Sequence, residues 1–251
     1  MNAHNNLVHA AILSLMLCFV TLPTHAGMWD DPKNLKVLSE DITPDELRAT
    51  MRGFAGDTGS RCSTCHVGTD ENDLRTYDFS LDDKEAKQKA RKMIKMVNDI
   101  NSYLIETLHA SPDEIVRVDC ATCHRGQAKP EMLQDVLASA YENGGLVEAT
   151  DKYRVLRDRY YGGYTFDFSE KVLMIAAEKM AQDDELVAAL GFLSLNLKYY
   201  PESARTFVLQ AQVLTTKNDI PAARSSYLRA LAIEPDNKWT QRLLAALPDK
   251  N

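Results

Sequence analysis

The spacing of apolar and polar positions along the 251 residues divides the chain into three regimes. Residues 10–22, AAILSLMLCFVTL, form an apolar run of 13. That is short of the ~20 residues that cross a bilayer and fits the core of a signal peptide. Thr24-His25-Ala26 places a small residue before a cut, making Gly27 the first mature residue; the leading segment has no Lys or Arg. A helix is then predicted from Thr43: a Thr N-cap, Pro44 in the first turn, and Glu46 where a capping box needs it. It continues to about Phe54, with Leu47, Met51 and Phe54 on one face, and Gly53, Gly56 and Gly59 break it. A second helix is predicted from Ser80 to about Leu108. At 100° per residue, Ala86, Ala90, Val97, Ile100, Leu104 and Leu108 fall within about 60° of Met93, with Met96 on the edge of that stripe.

After Lys129-Pro130 the pattern reads as helices with short turns. Pro201 and Pro235 are 34 residues apart, and Ala188/Ala222, Ala189/Ala223 and Leu197/Leu231 pair at the same offset. That is the tetratricopeptide period. Two to three such units are expected. Residues 136–161 read as a degenerate helical hairpin out of phase with the period, and residues 239–247 as a closing helix. Such units stack and present a groove to a partner, or pack on a neighbouring domain or a second copy.

Composition adds little except through charge and cysteine. The net charge of −7 argues against a nucleic-acid partner. Of five cysteines, Cys18 lies in the apolar run, behind Met16-Leu17 rather than the small residue a lipoprotein cut requires. The other four are Cys62, Cys65, Cys120 and Cys123, in R-C-S-T-C-H-V-G and D-C-A-T-C-H-R-G. None is left over for a disulfide framework.

Three chemistries use Cys-x-x-Cys. Zinc ribbons place their pairs 15–20 residues apart, whereas 54 residues separate Cys65 from Cys120. A thioredoxin-like dithiol opens a helix in a βαβ pattern, which is missing here. Haem accounts for every residue. Two thiols add to the vinyl groups, and the adjacent histidine, His66 or His124, binds the iron. Two haem c groups are therefore expected.

The other face of each iron needs a ligand. Outside the leading segment and the motifs, His109 is the remaining histidine. Met51 stands 11 residues ahead of Cys62 on the apolar face of the first helix. A methionine on such a stripe most often fills the core; beside an attachment turn, ligation is the stronger reading. Met93, at the centre of the second stripe, is expected to serve the second haem, with Met96 and His109 as alternatives.

The stretches DELRATMRGF (45–54) before RCSTCH (61–66), and ARKMIKMVNDIN (90–101) before CATCHRGQ (120–127), resemble the cytochrome c subunit of photosynthetic reaction centres and its non-photosynthetic relatives. The resemblance covers about residues 33–131. It implies that each haem takes its methionine from a helix ahead of its own Cys-x-x-Cys-His, and that the first methionine of A-R-x-M-x-x-M ligates, hence Met51 and Met93. The family's subunit carries four haems; this chain has two motifs.

The expected protein is all-α: a signal peptide (1–26), a dihaem cytochrome domain with few helices and long loops (27–131), and a tetratricopeptide-like helical domain (132–251). Its expected function is one-electron transfer with an unidentified redox partner protein, and the repeats are expected to bind that partner or a second copy. Export would take it to the periplasm or beyond, free or membrane-associated. A dihaem peroxidase or haem sensor with one open iron is the rival, with His109 and Glu114 as its hints. A third reading makes the repeats the main function and the haems a redox trigger.

Overall fold

The computed structural model describes residues 27–248 except 110, 112 and 116. The expected signal peptide, with its apolar run and Cys18, lies outside the described residues. Those described form ten helices and one two-residue β ribbon, so the chain is all-α. Among them, no helix is long and apolar enough to cross a membrane.

Helix α1 (Pro44–Thr58) begins as its sequence dictates. The Thr43 hydroxyl accepts from Glu46 N–H, and the Glu46 carboxylate accepts from Thr43 N–H. The helix runs past Gly53 and Gly56, which stay helical, and stops at Gly59 in the left-handed region. The first motif forms the short helix α2 (Cys62–Cys65). A ribbon follows, β1 (Val67–Gly68) against β2 (Tyr77–Asp78). The long helix α3 (Glu85–Leu108) and the short α4 (Cys120–His124) complete the N-terminal part.

Helix α3 starts at Glu85, not at Ser80, because the residues between are used for long-range bonds. Asp82 accepts from Lys36 at 2.6 Å and from Arg91 at 2.7 Å, and Arg91 also donates to the Asn34 carbonyl at 2.9 Å. Residues 80–84 are thereby tied to residues 34–36 and kept out of the helix.

The C-terminal part comprises α5 (Leu133–Tyr160), α6 (Glu170–Gln182), α7 (Leu186–Tyr199), α8 (Ala204–Thr216), α9 (Ile220–Ile233) and α10 (Lys238–Ala245). Within α5 the segment expected as a helical hairpin over 136–161 is two helical stretches separated by Gly144 and Gly145, whose backbone is non-helical, Gly145 at φ 68°. The pairs α6–α7 and α8–α9 repeat at an offset of 34. Buried Ala177, Ala189 and Leu193 correspond to buried Ala211, Ala223 and Tyr227. The turns correspond bond for bond: Asp184 (φ 62°) matches Asn218 (φ 63°). Likewise Glu185 N–H to Met180 O matches Asp219 N–H to Leu214 O. Asp and Asn tolerate this conformation better than other side chains, so the turn is written into both units.

One correspondence breaks the apolar pattern. Asn196, fully buried, stands where the next unit has Ala230. Its amide donates to the Glu170 carbonyl at 3.0 Å and to the Thr206 hydroxyl at 2.8 Å, pinning the starts of α6 and α8 to α7. Asn196→Ala takes that donor from the buried Thr206 hydroxyl and the part-buried Glu170 carbonyl. It is expected to reduce stability by about 1–3 kcal/mol, read as a lower urea midpoint. An unchanged midpoint would count against this role.

Candidate haem-binding site

The first motif opens into a cleft of about 630 Å³. Helix α1 contributes Leu47, Met51 and Phe54, the face read from the sequence, and α2 with the following turn contributes Cys62, Cys65 and His66. Helix α3 adds Lys87, Ala90, Arg91 and Ile94, and the ribbon end adds Tyr77 and Phe79. Met51 and His66, expected as a ligand pair, thus line one cleft with both cysteines of their motif.

The walls hold His66 in a defined state. Phe79 meets the ring edge-on, with centroids 5.0 Å apart. Gly68 packs flat on Tyr77, where a Cβ would collide with the phenol ring. Burial, then the charges of Lys87 and Arg91, push the His66 imidazole down to about 4. It is therefore neutral at physiological pH, the form that binds a metal. Its Nδ1 is buried with no protein partner.

Lys87 is itself buried, which a lysine tolerates only when paired. It donates to the Phe79 carbonyl at 2.8 Å and the Leu81 carbonyl at 2.5 Å, and pairs with Asp82 at 3.2 Å. The Asp82 carboxyl, held by Lys36 first and then by Arg91 and Lys87, lies well below the usual carboxylate range. The sequence reading missed Lys87 and Arg91. Periodicity gave no signal for them: at 100° per residue both fall well outside the stripe centred on Met93.

The second motif is built differently. Asp119 caps α4, accepting from Thr122 N–H at 2.8 Å, while Thr122 Oγ1 accepts from Asp119 N–H at 3.1 Å. The chain leaves through two left-handed residues, Arg125 and Gly126. That turn brings the Gln127 carbonyl to 2.7 Å from His124 Nδ1, so the protonated Nδ1 donates to it. A ligating histidine held this way by its second ring nitrogen has its orientation and tautomer set.

Met93 lies on the outer side of α3, 42% exposed, with Met96 at 43% beside it. His109 is exposed and ends α3 in the left-handed conformation. The inner face of α3 carries Lys87, Ala90, Arg91, Ile94 and Asn101 instead. The face centred on Met93 is therefore turned by about 100° from the one that packs inward, one residue's rotation. No described cleft gathers Met93 with Cys120, Cys123 and His124.

The four motif thiols are unpaired. Burial, then Cys62, raises the Cys65 thiol; burial, then Asp57, raises that of Cys120. Neither is the activated thiolate of a dithiol oxidoreductase. Among the described residues, no three His, Cys, Asp or Glu side chains converge on a metal position. The two motifs are separate sites.

The second motif nevertheless touches α1. Gly126 N–H, two residues after His124, donates to the Asp57 carbonyl near the end of α1 at 2.8 Å. Gly59 packs directly on the Gly126 carbonyl, leaving no room for a Cβ. The helix bearing Met51 thus abuts the second motif, while α3, which leads toward the second motif, walls the first.

The residues fit haem: a cleft of suitable size with two thiols, a neutral half-buried histidine and a thioether, and a second motif whose histidine is already oriented. This is the arrangement of a c-type cytochrome. The family described as "Photosynthetic reaction centre cytochrome C subunit" matches residues 26–183, more than half of the chain, and the chain belongs to that family. The match runs through α5 and α6, beyond the residues that carried the resemblance.

A curated relative, the photosynthetic reaction center cytochrome c subunit of Roseobacter denitrificans (strain ATCC 33942 / OCh 114), is 35% identical over 102 residues. That is 39% of this chain and 25% of the relative, so the chain spans about a quarter of the relative's length. A solved structure, the first TPR of Spaghetti (RPAP3) bound to the HSP90 peptide SRMEEVD, is 16% identical with a TM-score of 0.32. It covers 45% of this chain and 85% of that one. The helical repeat stands on the chain's own 34-residue correspondence.

Proposed function

We propose that this protein is an exported dihaem c-type cytochrome that carries single electrons. Residues 27–131 would hold two haem c groups, through Cys62 and Cys65 and through Cys120 and Cys123, and residues 132–251 would form the tetratricopeptide-like unit. When bound, each haem supplies a one-electron ferric/ferrous couple. His66 and Met51 would hold the first iron, His124 and Met93 the second. A thioether ligand raises the potential, and two protein ligands leave no iron position for substrate. The apolar walls of the first cleft exclude water, and the Gln127 carbonyl fixes the His124 ring.

The observation that carries this reading is the convergence of Met51, Cys62, Cys65 and His66 on one apolar cleft. The contact of α1, which bears Met51, with the turn after His124 favours electron exchange between the two haems within one chain. The repeats would set the haems beside a redox partner protein or a second copy.

The test is a haem count and visible spectra of the protein purified after export, with its N-terminus sequenced. Two haems per chain, a mature start at Gly27, low-spin spectra with the far-red methionine–iron absorption, and no carbon monoxide binding after reduction are expected. Ready carbon monoxide binding would mean an open iron and replace the carrier with a sensor or peroxidase. One haem per chain would sink the dihaem assignment.

A further inference from the structure

We propose that Asn101 is a positioning residue that sets α3, and with it Met93, against the second haem attachment turn. The inference rests on the ligation of the second haem by Met93.

Asn101 is 5% exposed, near the C-terminal end of a long helix. Asparagine is a poor helix former, and a buried amide is unfavourable unless bonded. Both of its functions are used on one residue. Nδ2 donates to the Val118 carbonyl at 2.8 Å, and Oδ1 accepts from Val118 N–H at 2.8 Å. A planar amide matched to both polar groups of a peptide fixes orientation as well as distance.

The place of this clamp gives it its effect. Val118 precedes Cys120 by two residues, and Asp119 between them caps α4. The clamp thus acts on the segment that launches the motif. Met93 lies eight residues before Asn101, about 12 Å along α3 and about 80° round it. Rotating α3 about its axis at Asn101 would carry Met93 with it. Among the described hydrogen bonds, these two are the ones that tie α3 to residues 117–124. The chain leaves α3 at His109, which is left-handed.

The experiment compares Asn101→Leu, Asn101→Asp and Met93→Leu in the full-length, haem-loaded protein. It reads covalent haem per chain, the far-red methionine–iron absorption, and the two midpoint potentials. Asn101→Leu keeps the volume and removes both bonds. It is expected to retain both haems, leave the first haem's potential in place, and lower the second. The far-red absorption should fall to about half, because one of two methionine-ligated haems loses its ligand. Met93→Leu should match it. Asn101→Asp keeps an acceptor for Val118 N–H but faces the Val118 carbonyl with a carboxylate; it should fall between Asn101→Leu and the unaltered protein. It decides the matter if the leucine variant does not mature.

Full far-red absorption with both potentials unmoved in the Asn101 variants, alongside loss in Met93→Leu, overturns the positioning role alone. Full absorption in Met93→Leu overturns the ligation it rests on, and the proposal with it. A purely structural Asn101 would lower stability without singling out the second haem.

Discussion

Gly59→Ala is expected to be among the most damaging single-methyl additions in this protein. Gly59 ends α1 at φ 61°, where an L side chain costs about 1–2 kcal/mol in local strain. The added Cβ would also collide with the Gly126 carbonyl oxygen. That atom is backbone, in a turn held by the bond from Gly126 N–H to Asp57 O, so it cannot swing aside as a side-chain end would. Relief requires parting α1 from the turn after His124. The combined loss is expected at about 2–4 kcal/mol, read by chemical unfolding of the haem-loaded protein. Gly53→Ala is the control. Gly53 lies inside the same helix with nothing within 4 Å of its Cβ position. There alanine should stabilise by up to about 1 kcal/mol through helix propensity. Equal midpoints for the two variants would show that the seam between the motifs carries no stability.

Met51→Ala is expected to have the largest effect on function. Met51 shares its cleft with His66 and both cysteines of the first motif, so its loss should leave one axial position without a protein ligand. The far-red absorption of that haem should vanish, its spectrum should gain a high-spin component, and the reduced form should bind carbon monoxide. Its midpoint potential should fall on the order of 0.1 V, a fraction of the range that axial ligation spans. Covalent attachment should persist, because it depends on Cys62 and Cys65. A redox titration followed in the visible range checks this. An unchanged potential would move the ligand role to another residue.

The two variants differ in the kind of information that predicts them. Met51 was legible in the chain: Thr43, Pro44 and Glu46 start α1, and Leu47, Met51 and Phe54 recur at helical spacing before Cys62. Each of those signals acts over one or two turns. The damage at Gly59 was not legible, because Gly126 is 67 residues away and only packing brings it there.

Helix α3 shows the limit of periodicity most clearly. The stripe centred on Met93 is real, yet the packed face carries Lys87, Ala90, Arg91, Ile94 and Asn101. Hydrophobicity ranks Lys87, Arg91 and Asn101 as outward residues. They turn inward because each finds partners from elsewhere in the chain: the Phe79 and Leu81 carbonyls, Asp82, the Asn34 carbonyl and Val118. A buried polar group is tolerated when it is bonded, and those bonds are invisible until the segments meet. The same bonds to Asp82 move the start of α3 from Ser80 to Glu85.

By itself, then, the sequence determined the attachment chemistry, the cap and apolar face of α1, and the 34-residue repeat with its paired turn residues Asp184 and Asn218. These depend on side-chain identity at short spacing, which local backbone geometry reads directly. Only the tertiary structure decided which face of α3 packs inward, how closely α1 abuts the second motif, and which polar residues are buried. Those outcomes depend on hydrogen bonds and van der Waals contacts between segments far apart in the chain, whose partners have no fixed spacing in sequence.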